Sequence, residues 1–360
     1  MGEHGTPADP NALSSPHRAG SFSPILACVL AAALFGASTP ASRPLVESMG
    51  PFLLSGVLYL GAALAVAPWA LRDVRTARSA NLANGLRLGG AVLFGGIVGP
   101  VLLLSGLVLA PAGSVALWLN LESVATALLA WLFFREHVGV RTIVAIALIV
   151  VGSVMLSPST PQGGLAVALV AGACLAWGLD NNLTALIDQF SPAQTTFAKG
   201  LVAGTFNCLI GVHLLGGTTS LPMLAAALCI GGLSYGASLL LYVAGAQHLG
   251  ATRSQLIFST APAWGLAIAW VVLGEPILPV QLGAAGLMAA AIVLWHREQH
   301  SHAHVHEPMR HNHRHRHDDG HHDHDHAEPF SGTWHAHEHD HARVEHEHRH
   351  HPDLHHRHAH

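Results

Sequence analysis

Residues 119–136, LNLESVATALLAWLFFRE, have the length and the apolar content of a membrane-spanning helix. Such a helix needs about 20 mainly apolar residues to cross a hydrocarbon layer about 30 Å thick. Glu122 stands out because a charged side chain inside a span costs about 2.5–3.5 kcal/mol on insertion scales. An acid that is kept in a span usually faces a cavity, a partner or a cargo. Glu122 is therefore the first candidate functional residue.

The same pattern recurs later in the chain. The ending WLFFRE, with Trp131 and Glu136, matches WVVLGE, with Trp270 and Glu275, at an offset of 139 residues. The same offset pairs Gly106 with Gly245, Ala112 with Ala251 and Ala130 with Ala269. Near the start of each half, residues 33–36 resemble residues 175–178 at an offset of 142. These matches indicate an internal duplication.

The composition indicates a membrane protein and argues against several other classes. Hydrophobic residues make up 51% of the chain and charged residues 11%, whereas about 25% of a soluble globular protein is charged. The four cysteines show no CxxC spacing, so nothing indicates redox chemistry. The sequence has no phosphate-binding glycine loop, no nucleophile elbow and no HExxH motif, and its basic residues are few and scattered. We expect no enzyme activity, no tightly bound cofactor and no nucleic-acid partner.

Breaking the apolar runs at glycines, prolines and charge clusters predicts ten membrane-spanning helices. They cover residues 24–42, 50–71, 86–109, 112–134, 139–156, 164–187, 193–215, 222–246, 251–273 and 276–296. Because a repeat of five spans is odd-numbered, its second copy must enter the membrane in the opposite orientation. The predicted fold is an all-α membrane protein with ten transmembrane helices in two inverted five-helix repeats.

The polar ends of the chain lie outside these repeats. We predict a disordered N-terminus at 1–22, a first five-helix repeat at 23–157, a second at 163–296 and a His-rich tail at 297–360. The tail holds 24 of the 30 histidines. It has too few apolar residues to form a core, so we expect it to be disordered.

The arginines predict the orientation of the spans. The gaps after spans two, four and eight carry Arg72, Arg75, Arg78, Arg87, Arg135, Arg141 and Arg253, whereas the odd-numbered gaps carry only Arg43. Positive residues collect in cytoplasmic loops, so both termini are expected in the cytoplasm. The lipid bilayer is the expected partner of the body.

Spans four and nine, LNLESVATALLAWLFFRE and STAPAWGLAIAWVVLGEP, together with LDNNLTALI at 179–187, resemble the EamA branch of the drug/metabolite transporter superfamily. The resemblance covers residues 24–296. It implies an exporter of small solutes in the bacterial inner membrane that works by alternating access, often coupled to protons, and it leaves a homodimer open. Many relatives have proline at the position of Ser123, so the resemblance implies a softer helix break there than at Pro262. Some nickel and cobalt exporters look similar in joining a ten-span body to a His-rich terminus.

Glu122 lies on one helix face with Thr126, and Asn120 lies on nearly the opposite face. As a protonatable acid, Glu122 could bind a cation when ionised and release it on protonation. The alternative is a carboxyl group near the membrane face that is bonded to backbone or to arginine. Glu122 and Asn120 are both candidates for the transport path.

Asp180, Asn181 and Asn182 form the densest polar cluster within an apolar run. Their oxygens suit a divalent cation or the ammonium group of a metabolite. Three successive helical residues cannot all face one cavity, so one or two are expected to cap a helix or to bond between helices. Lys199, the only lysine of the chain, could pair with Asp180 or Glu122, or could extend to the membrane interface.

Span nine places Gln255 and Ser259 one turn apart. This polar stripe could line the path opposite Glu122, or it could hold helices together. Glu136 and Glu275 end repeat-related spans at opposite membrane faces, where we expect them to act as structural caps or as gates.

The tail alternates histidine with other residues in several runs. Imidazole is a common ligand of transition metals, so we expect labile binding of nickel, cobalt and zinc at many overlapping sites. The alternative is a low-complexity segment with no physiological metal. The candidate ligands are His300, His302, His304, His306, His311, His313, His315, His317, His321, His322, His324, His326, His335, His337, His339 and His341.

Three functions remain open. The leading one is a secondary exporter of divalent transition metal ions, nickel or cobalt first, in which the tail gathers ions and Glu122 and Asp180 supply oxygen ligands and proton exchange. The second is an exporter of amino acids or other small metabolites with a metal-responsive or dispensable tail. The third is a metal store or sensor that the membrane body only anchors.

Overall fold

The structure is a computed structural model of the chain. The described residues are 23–72, 81–134, 139–156, 160–187, 189–249, 251–296, 300–306, 309–315, 335–341 and 344–350.

The first helix, α1 (Pro24–Ala70), is bent into two helices at Gly50. Gly50 has φ 73° and ψ 160°, and Pro51 follows it. Glycine adopts a positive φ without a steric penalty, and proline cannot donate a backbone hydrogen bond to the preceding turn. The bend lies close to the predicted boundary between the first two spans.

The rest of the body is also helical. Four continuous helices are α2 (Leu82–Leu109), α6 (Pro161–Ala185), α7 (Pro192–Leu214) and α8 (Leu221–Leu249). Two helices are interrupted, as α3 (Ala112–Trp118) then α4 (Leu121–Phe134), and as α9 (Ala251–Phe258) then α10 (Ala261–Val272). Shorter apolar helices are α5 (Val140–Met155) and α11 (Pro279–His296). Within the described residues, seven helices are long and apolar enough to cross a membrane when each interrupted pair is taken as one, so the count of ten spans stays a prediction.

Two backbone irregularities recur at equivalent positions in the two halves. α2 is π-helical over Val92–Val98, and α8 is π-helical over Gly232–Ala237. The interruption between α3 and α4 lies at residues 119–120, and that between α9 and α10 lies at residues 259–260. The equivalent positions are 139 or 140 residues apart. The two halves therefore share backbone irregularities as well as sequence.

The two interruptions have different causes. Pro262 stands in the first turn of α10, where it has no N–H to continue the preceding helix. In the first half, Asn120 supplies the break, because its Nδ2 donates to Leu117 O at 2.9 Å and its backbone N donates to the same oxygen at 3.1 Å. A side-chain amide that bonds nearby backbone competes with the helical ladder. The helix is thus interrupted even though Ser123 stands where a proline was expected from the resemblance.

Close packing also repeats between the halves. Gly36 in α1 lies against α10, where a Cβ would overlap Ala261 O and would approach Gly265 N to 3.0 Å. Gly178 in α6 lies against α4, where a Cβ would approach Thr126 N to 2.8 Å. Gly36 and Gly178 are equivalent at the offset of 142, and Gly265 and Thr126 at the offset of 139. The first helix of each half therefore packs against the interrupted helix of the other half.

Many large apolar side chains lie on the surface of the body. Trp118 and Leu54 are fully buried, whereas Val271, Leu64 and Leu132 are 83%, 66% and 62% exposed. Large apolar side chains with this exposure suit the hydrocarbon of a bilayer and not water. The apolar surface and the seven long helices identify a multi-pass membrane protein.

Beyond α11 the described backbone forms four strands, β1 (His300–His306), β2 (Met309–His315), β3 (His335–His341) and β4 (Val344–His350). β1 pairs antiparallel with β4, and β2 pairs antiparallel with β3. Alternation of histidine with other residues has the two-residue period of a strand. The disorder of residues 297–360 stays a prediction. The predicted N-terminal segment 1–22 lies outside the described residues.

Candidate transport site

Glu122 lies in the first turn of α4, directly after the interruption. Its Oε1 accepts a hydrogen bond from Asn181 Nδ2 at 2.9 Å, and the same Nδ2 donates to Thr126 Oγ1 at 3.2 Å. Thr126 Oγ1 donates to Glu122 O at 2.9 Å. The predicted shared face of Glu122 and Thr126 is confirmed by these bonds. Glu122 is half-buried and Asn181 is exposed, so this group of oxygens is open to an approaching solute.

Asp180 is paired with Lys199. Lys199 Nζ donates to Asp180 Oδ1 at 3.0 Å and to Oδ2 at 2.8 Å, and Thr184 Oγ1 donates to Oδ1 at 2.9 Å. The side chain of Asp180 is only 7% exposed and that of Lys199 18% exposed. A charge inside a membrane protein is tolerated when an opposite charge and hydrogen bonds neutralise it. Lys199 therefore partners Asp180, one of the two acids proposed from the sequence.

The third polar residue of this run, Asn182, bonds between helices. Its Nδ2 donates to Thr126 O at 3.1 Å and to Gly178 O at 2.8 Å. Asn182 is buried. It ties α6 to α4, as expected for one member of three adjacent polar residues in a helix.

The π-helical segment of α2 provides a backbone acceptor beside Asp180. Gly95 O accepts hydrogen bonds from Trp177 Nε1 at 3.0 Å and from the Tyr59 hydroxyl at 2.5 Å. A Cβ on Gly95 would overlap the Asp180 carboxylate, so the acid lies directly against the backbone. π-helical turns are rare and are often found at functional sites. The GlyGly pair at 95–96 is the sequence signal that could have pointed to this close approach.

Asn207 in α7 bonds to the neighbouring glycine of the same segment. Its Nδ2 donates to Gly96 O at 3.2 Å. The residue is fully buried, and its Oδ1 has no hydrogen-bond partner among the described residues. The π-helical segment of α2 is thus held by side chains from α1, α6 and α7.

The ionisable groups of this region act on one another. Glu122 interacts electrostatically with Asp180 and Lys199, and the Tyr59 hydroxyl interacts with both acids. Two acids and one base carry a net negative charge when all are ionised. We call Glu122, Thr126, Asp180, Asn181 and Lys199 the Glu122 cluster. Its net negative charge in that state favours a cation.

An aromatic row runs from the Glu122 cluster toward the second interrupted helix. It consists of Tyr59, Tyr235, Phe35, Phe258 and Tyr242, which are all half-buried. Successive ring centroids lie 5.8, 5.9, 5.3 and 5.0 Å apart. This spacing is that of interacting aromatic pairs.

Gln255 and Ser259 lie at the far end of this aromatic row. Tyr242 Oη donates to Gln255 Oε1 at 2.9 Å, and Ser259 Oγ donates to Gln255 O at 2.8 Å. The row thus runs from these two residues to Tyr59, whose hydroxyl bonds to Gly95 O beside Asp180.

Asn120 is placed apart from the Glu122 cluster. It is 7% exposed, and its Nδ2 contacts Leu117 O and Met288 Sδ. Its contacts are those of a buried residue that shapes the helix break and packs against α11.

The described residues hold no group of three or more His, Cys, Asp and Glu side chains arranged to bind a metal ion. A metal in the body would need amide and hydroxyl oxygens in addition to the acids. The candidate ligands from His300 to His341 belong to the tail, whose side chains lie outside the described residues.

Glu275 joins the two halves of the body. Its Oε1 accepts from Ala112 N at 2.6 Å, and its Oε2 accepts from Gly113 N at 2.9 Å. Its repeat-mate Glu136 lies outside the described residues.

Comparison with known proteins decides the family. The model of the EamA-like transporter family matches residues 22–157 and, a second time, residues 164–296. The chain belongs to the EamA-like transporter family. An uncharacterized transporter from Methanothermobacter thermautotrophicus (strain Delta H) is 30% identical to this EamA-family chain over 213 residues, which are 56% of the chain and 62% of that protein.

A solved structure shows the same fold as this EamA-family protein. The structure, described only as "Crystal structure of protein", superposes with a TM-score of 0.55 at 16% sequence identity. The match covers 76% of this chain and 98% of that chain.

Proposed function

We propose that the chain is an alternating-access exporter built from two inverted five-helix repeats, residues 23–157 and 163–296. Two matches to one family model support the repeats, as do the paired π-helical segments and the mirrored glycine contacts. The bend at Gly50 divides α1 into two spans, and the shorter helices α5 and α11 bring the total to ten. Five spans per repeat give opposite orientations, with the transport site between the halves.

The proposed cargo is a divalent transition metal ion, nickel or cobalt first. This proposal rests on the position of Glu122, an accessible acid that lies near a second acid, Asp180, and one base, Lys199. Glu122 offers a carboxylate beside the amide oxygen of Asn181 and the hydroxyl of Thr126, and oxygen and nitrogen donors bind divalent metals of this kind. Protonation of Glu122 would release the ion and couple export to protons. Lys199 already donates to both oxygens of Asp180. Asp180 would therefore balance the charge of Lys199 in the site.

The tail would supply the metal. Its 24 histidines offer many imidazole ligands without one fixed geometry, which suits labile capture of nickel, cobalt and zinc. The arginine distribution supports a cytoplasmic location for both termini in a bacterial inner membrane. The tail then lies on the side from which an exporter takes its cargo.

A second candidate is export of an amine-bearing metabolite, and the aromatic row favours it. Aromatic faces attract organic cations and offer apolar surface to an organic cargo. They offer no ligand atoms to a hydrated metal ion, except for the tyrosine hydroxyls. In this case Glu122 would bind the ammonium group, and the tail would be regulatory or dispensable.

Nickel content of cells after a metal pulse tests the proposal. Cells lacking other nickel exporters would express the full chain, a chain without residues 300–360, or the Glu122→Gln variant. We expect Glu122→Gln cells to retain nickel like cells without the protein, and cells with the tail-less chain to retain an intermediate amount. Glu47→Gln is the matched control, because Glu47 is 59% exposed and pairs with Arg43 away from the cluster, and it should export normally.

The same experiment separates the competing functions. Unchanged nickel content in every variant would contradict metal export. Protection against a toxic amino-acid analogue by the tail-less chain, with no nickel phenotype, would favour the metabolite. A phenotype that is lost with the tail but unaffected by Asp180→Asn would favour a metal store or sensor.

A further inference from the structure

Glu275 is the residue through which the second half holds the start of the first interrupted helix. It follows α10, and Ala112 and Gly113 are the first residues of α3. Both of its carboxylate oxygens accept backbone N–H donors of α3, at 2.6 and 2.9 Å. The break after α3 leads directly to Glu122. A movement of Glu275 would therefore act on the helix that carries the accessible acid.

The contact is tightly packed on both sides. A Cβ on Gly113 would lie 3.1 Å from Glu275 Oε2, so only glycine allows this approach without displacement. On the other side, Gln281 Oε1 accepts from Trp270 Nε1 at 3.1 Å and from Leu278 N at 3.2 Å. These bonds fix the segment that carries Glu275 between α10 and α11.

The linker between α2 and α3, just before these two residues, is held by another charged residue. Arg43 Nη1 in α1 donates to Ala110 O at 3.0 Å. Arg43 pairs with Glu47 at 3.3 Å, and both are more exposed than the buried pair of Asp180 and Lys199. Arg43 acts on the linker before α3, whereas Glu275 acts on α3 itself.

We propose that Glu275 is a positioning residue of the transport cycle, whose carboxylate holds α3 and keeps this end of the path closed. Hydrogen bonds to an ionised acceptor are stronger than neutral ones, and these two connect halves that must move relative to each other in alternating access. Release of Ala112 and Gly113 would open this end, which is the outer one in the proposed orientation. The proposal rests on alternating access and does not depend on the cargo.

Labelling of a cysteine in the path tests the proposal without any cargo. The reporter is Asn181→Cys, beside Glu122, in a protein whose Cys208 and Cys229 are replaced by alanine. Cys28 and Cys174 are buried. A membrane-impermeant maleimide is applied to right-side-out and to inside-out vesicles. Glu275→Gln should raise the labelling rate from the Glu275 end about tenfold, the shift expected for loss of one charge-assisted hydrogen bond, with no rise from the opposite end.

Two further variants complete the test. Glu47→Gln keeps an oxygen acceptor for Arg43 Nη2 and leaves the Arg43 Nη1 bond to Ala110 O in place, so it should leave the labelling rate unchanged. Ala112→Pro removes one N–H donor at the first helical position, where proline is tolerated, and should act in the same direction as Glu275→Gln. Unchanged labelling, or an equal rise from both ends, would overturn the proposal. If the Glu275→Gln protein does not reach the membrane, the result for Ala112→Pro decides by the same criteria.

Discussion

The interrupted pair α3–α4 and its counterpart α9–α10 break at equivalent positions, yet different residues surround the two breaks. Glu122 stands in α4 where Ala261 stands in α10. Around the first break lie two acids and a lysine, whereas around the second lie aromatic rings, Gln255 and Ser259. The duplicated backbone therefore provides two similar scaffolds, and substitution has given them different chemistry. We infer that the residues around the first break select the cargo by charge, while those around the second break complete its path.

The largest expected effect comes from breaking the charge balance around the first break. Lys199→Gln would leave Asp180 buried without its cation, which typically costs about 3–5 kcal/mol of folding free energy. We expect much less folded protein and a lower Tm in detergent. The double variant Asp180→Asn, Lys199→Gln should recover most of the loss. A single variant as stable as the unchanged protein would contradict the buried pair.

A smaller loss is expected at the π-helical segment of the first half. Gly95→Ala would place a methyl group on the Asp180 carboxylate, and overpacking typically costs about 1–3 kcal/mol. Gly89→Ala is the matched control in the same helix, since a Cβ there meets nothing within 4 Å. It should be neutral or stabilising, because alanine favours a helix by about 1 kcal/mol over glycine. Equal Tm values for the two variants would contradict the close approach at Gly95.

Binding should depend on Glu122 more than on any residue of the second half. In the protein without residues 300–360, Glu122→Gln should weaken nickel binding about tenfold or more, which corresponds to about 1.4 kcal/mol. Calorimetric titration of the purified protein measures this change. Glu122→Asp should retain part of the affinity because it keeps the carboxylate. Equal affinity in the Gln and Asp variants would show that charge at this position does not bind the ion.

The smallest effect is expected in the second half. Tyr242→Phe removes the 2.9 Å hydrogen bond to Gln255, and such a bond contributes about 1 kcal/mol to stability. Nickel export should change by less than about twofold, because the hydroxyl lies at the far end of the aromatic row from Glu122. A larger loss of export would show that residues around the second break also select the cargo, and it would favour an organic cargo.

The features that the sequence predicts well are the local and the repeated ones. Helical spacing placed Glu122 and Thr126 together, and the single lysine of the chain was expected to pair with Asp180 or Glu122. The offset of 139 residues indicated a duplication, and the interruptions of the two halves fall at equivalent positions because similar sequence has folded into similar backbone. The bend at Gly50 is also local, since it depends on a glycine followed by proline.

The remaining features depend on contacts between distant residues. Tyr59 reaches Gly95 only after α1 and α2 pack together, and no spacing in the sequence indicates this contact. Asn120 was expected on the path because it is polar. Its side chain is buried and bonds to Leu117 and Met288. The hydrogen bonds of Glu275 join residues that are more than 160 positions apart in the sequence.

Uptake of nickel into inside-out vesicles is the most direct test of a cation exporter whose selecting acid is Glu122. The vesicles would carry a proton gradient and either the unchanged chain or Glu122→Gln at equal amounts, with cobalt and zinc measured in parallel. We predict gradient-driven accumulation of nickel or cobalt by the unchanged chain and none by Glu122→Gln. Equal accumulation by both proteins, or no accumulation of any of the three metals by the unchanged chain, would contradict the account.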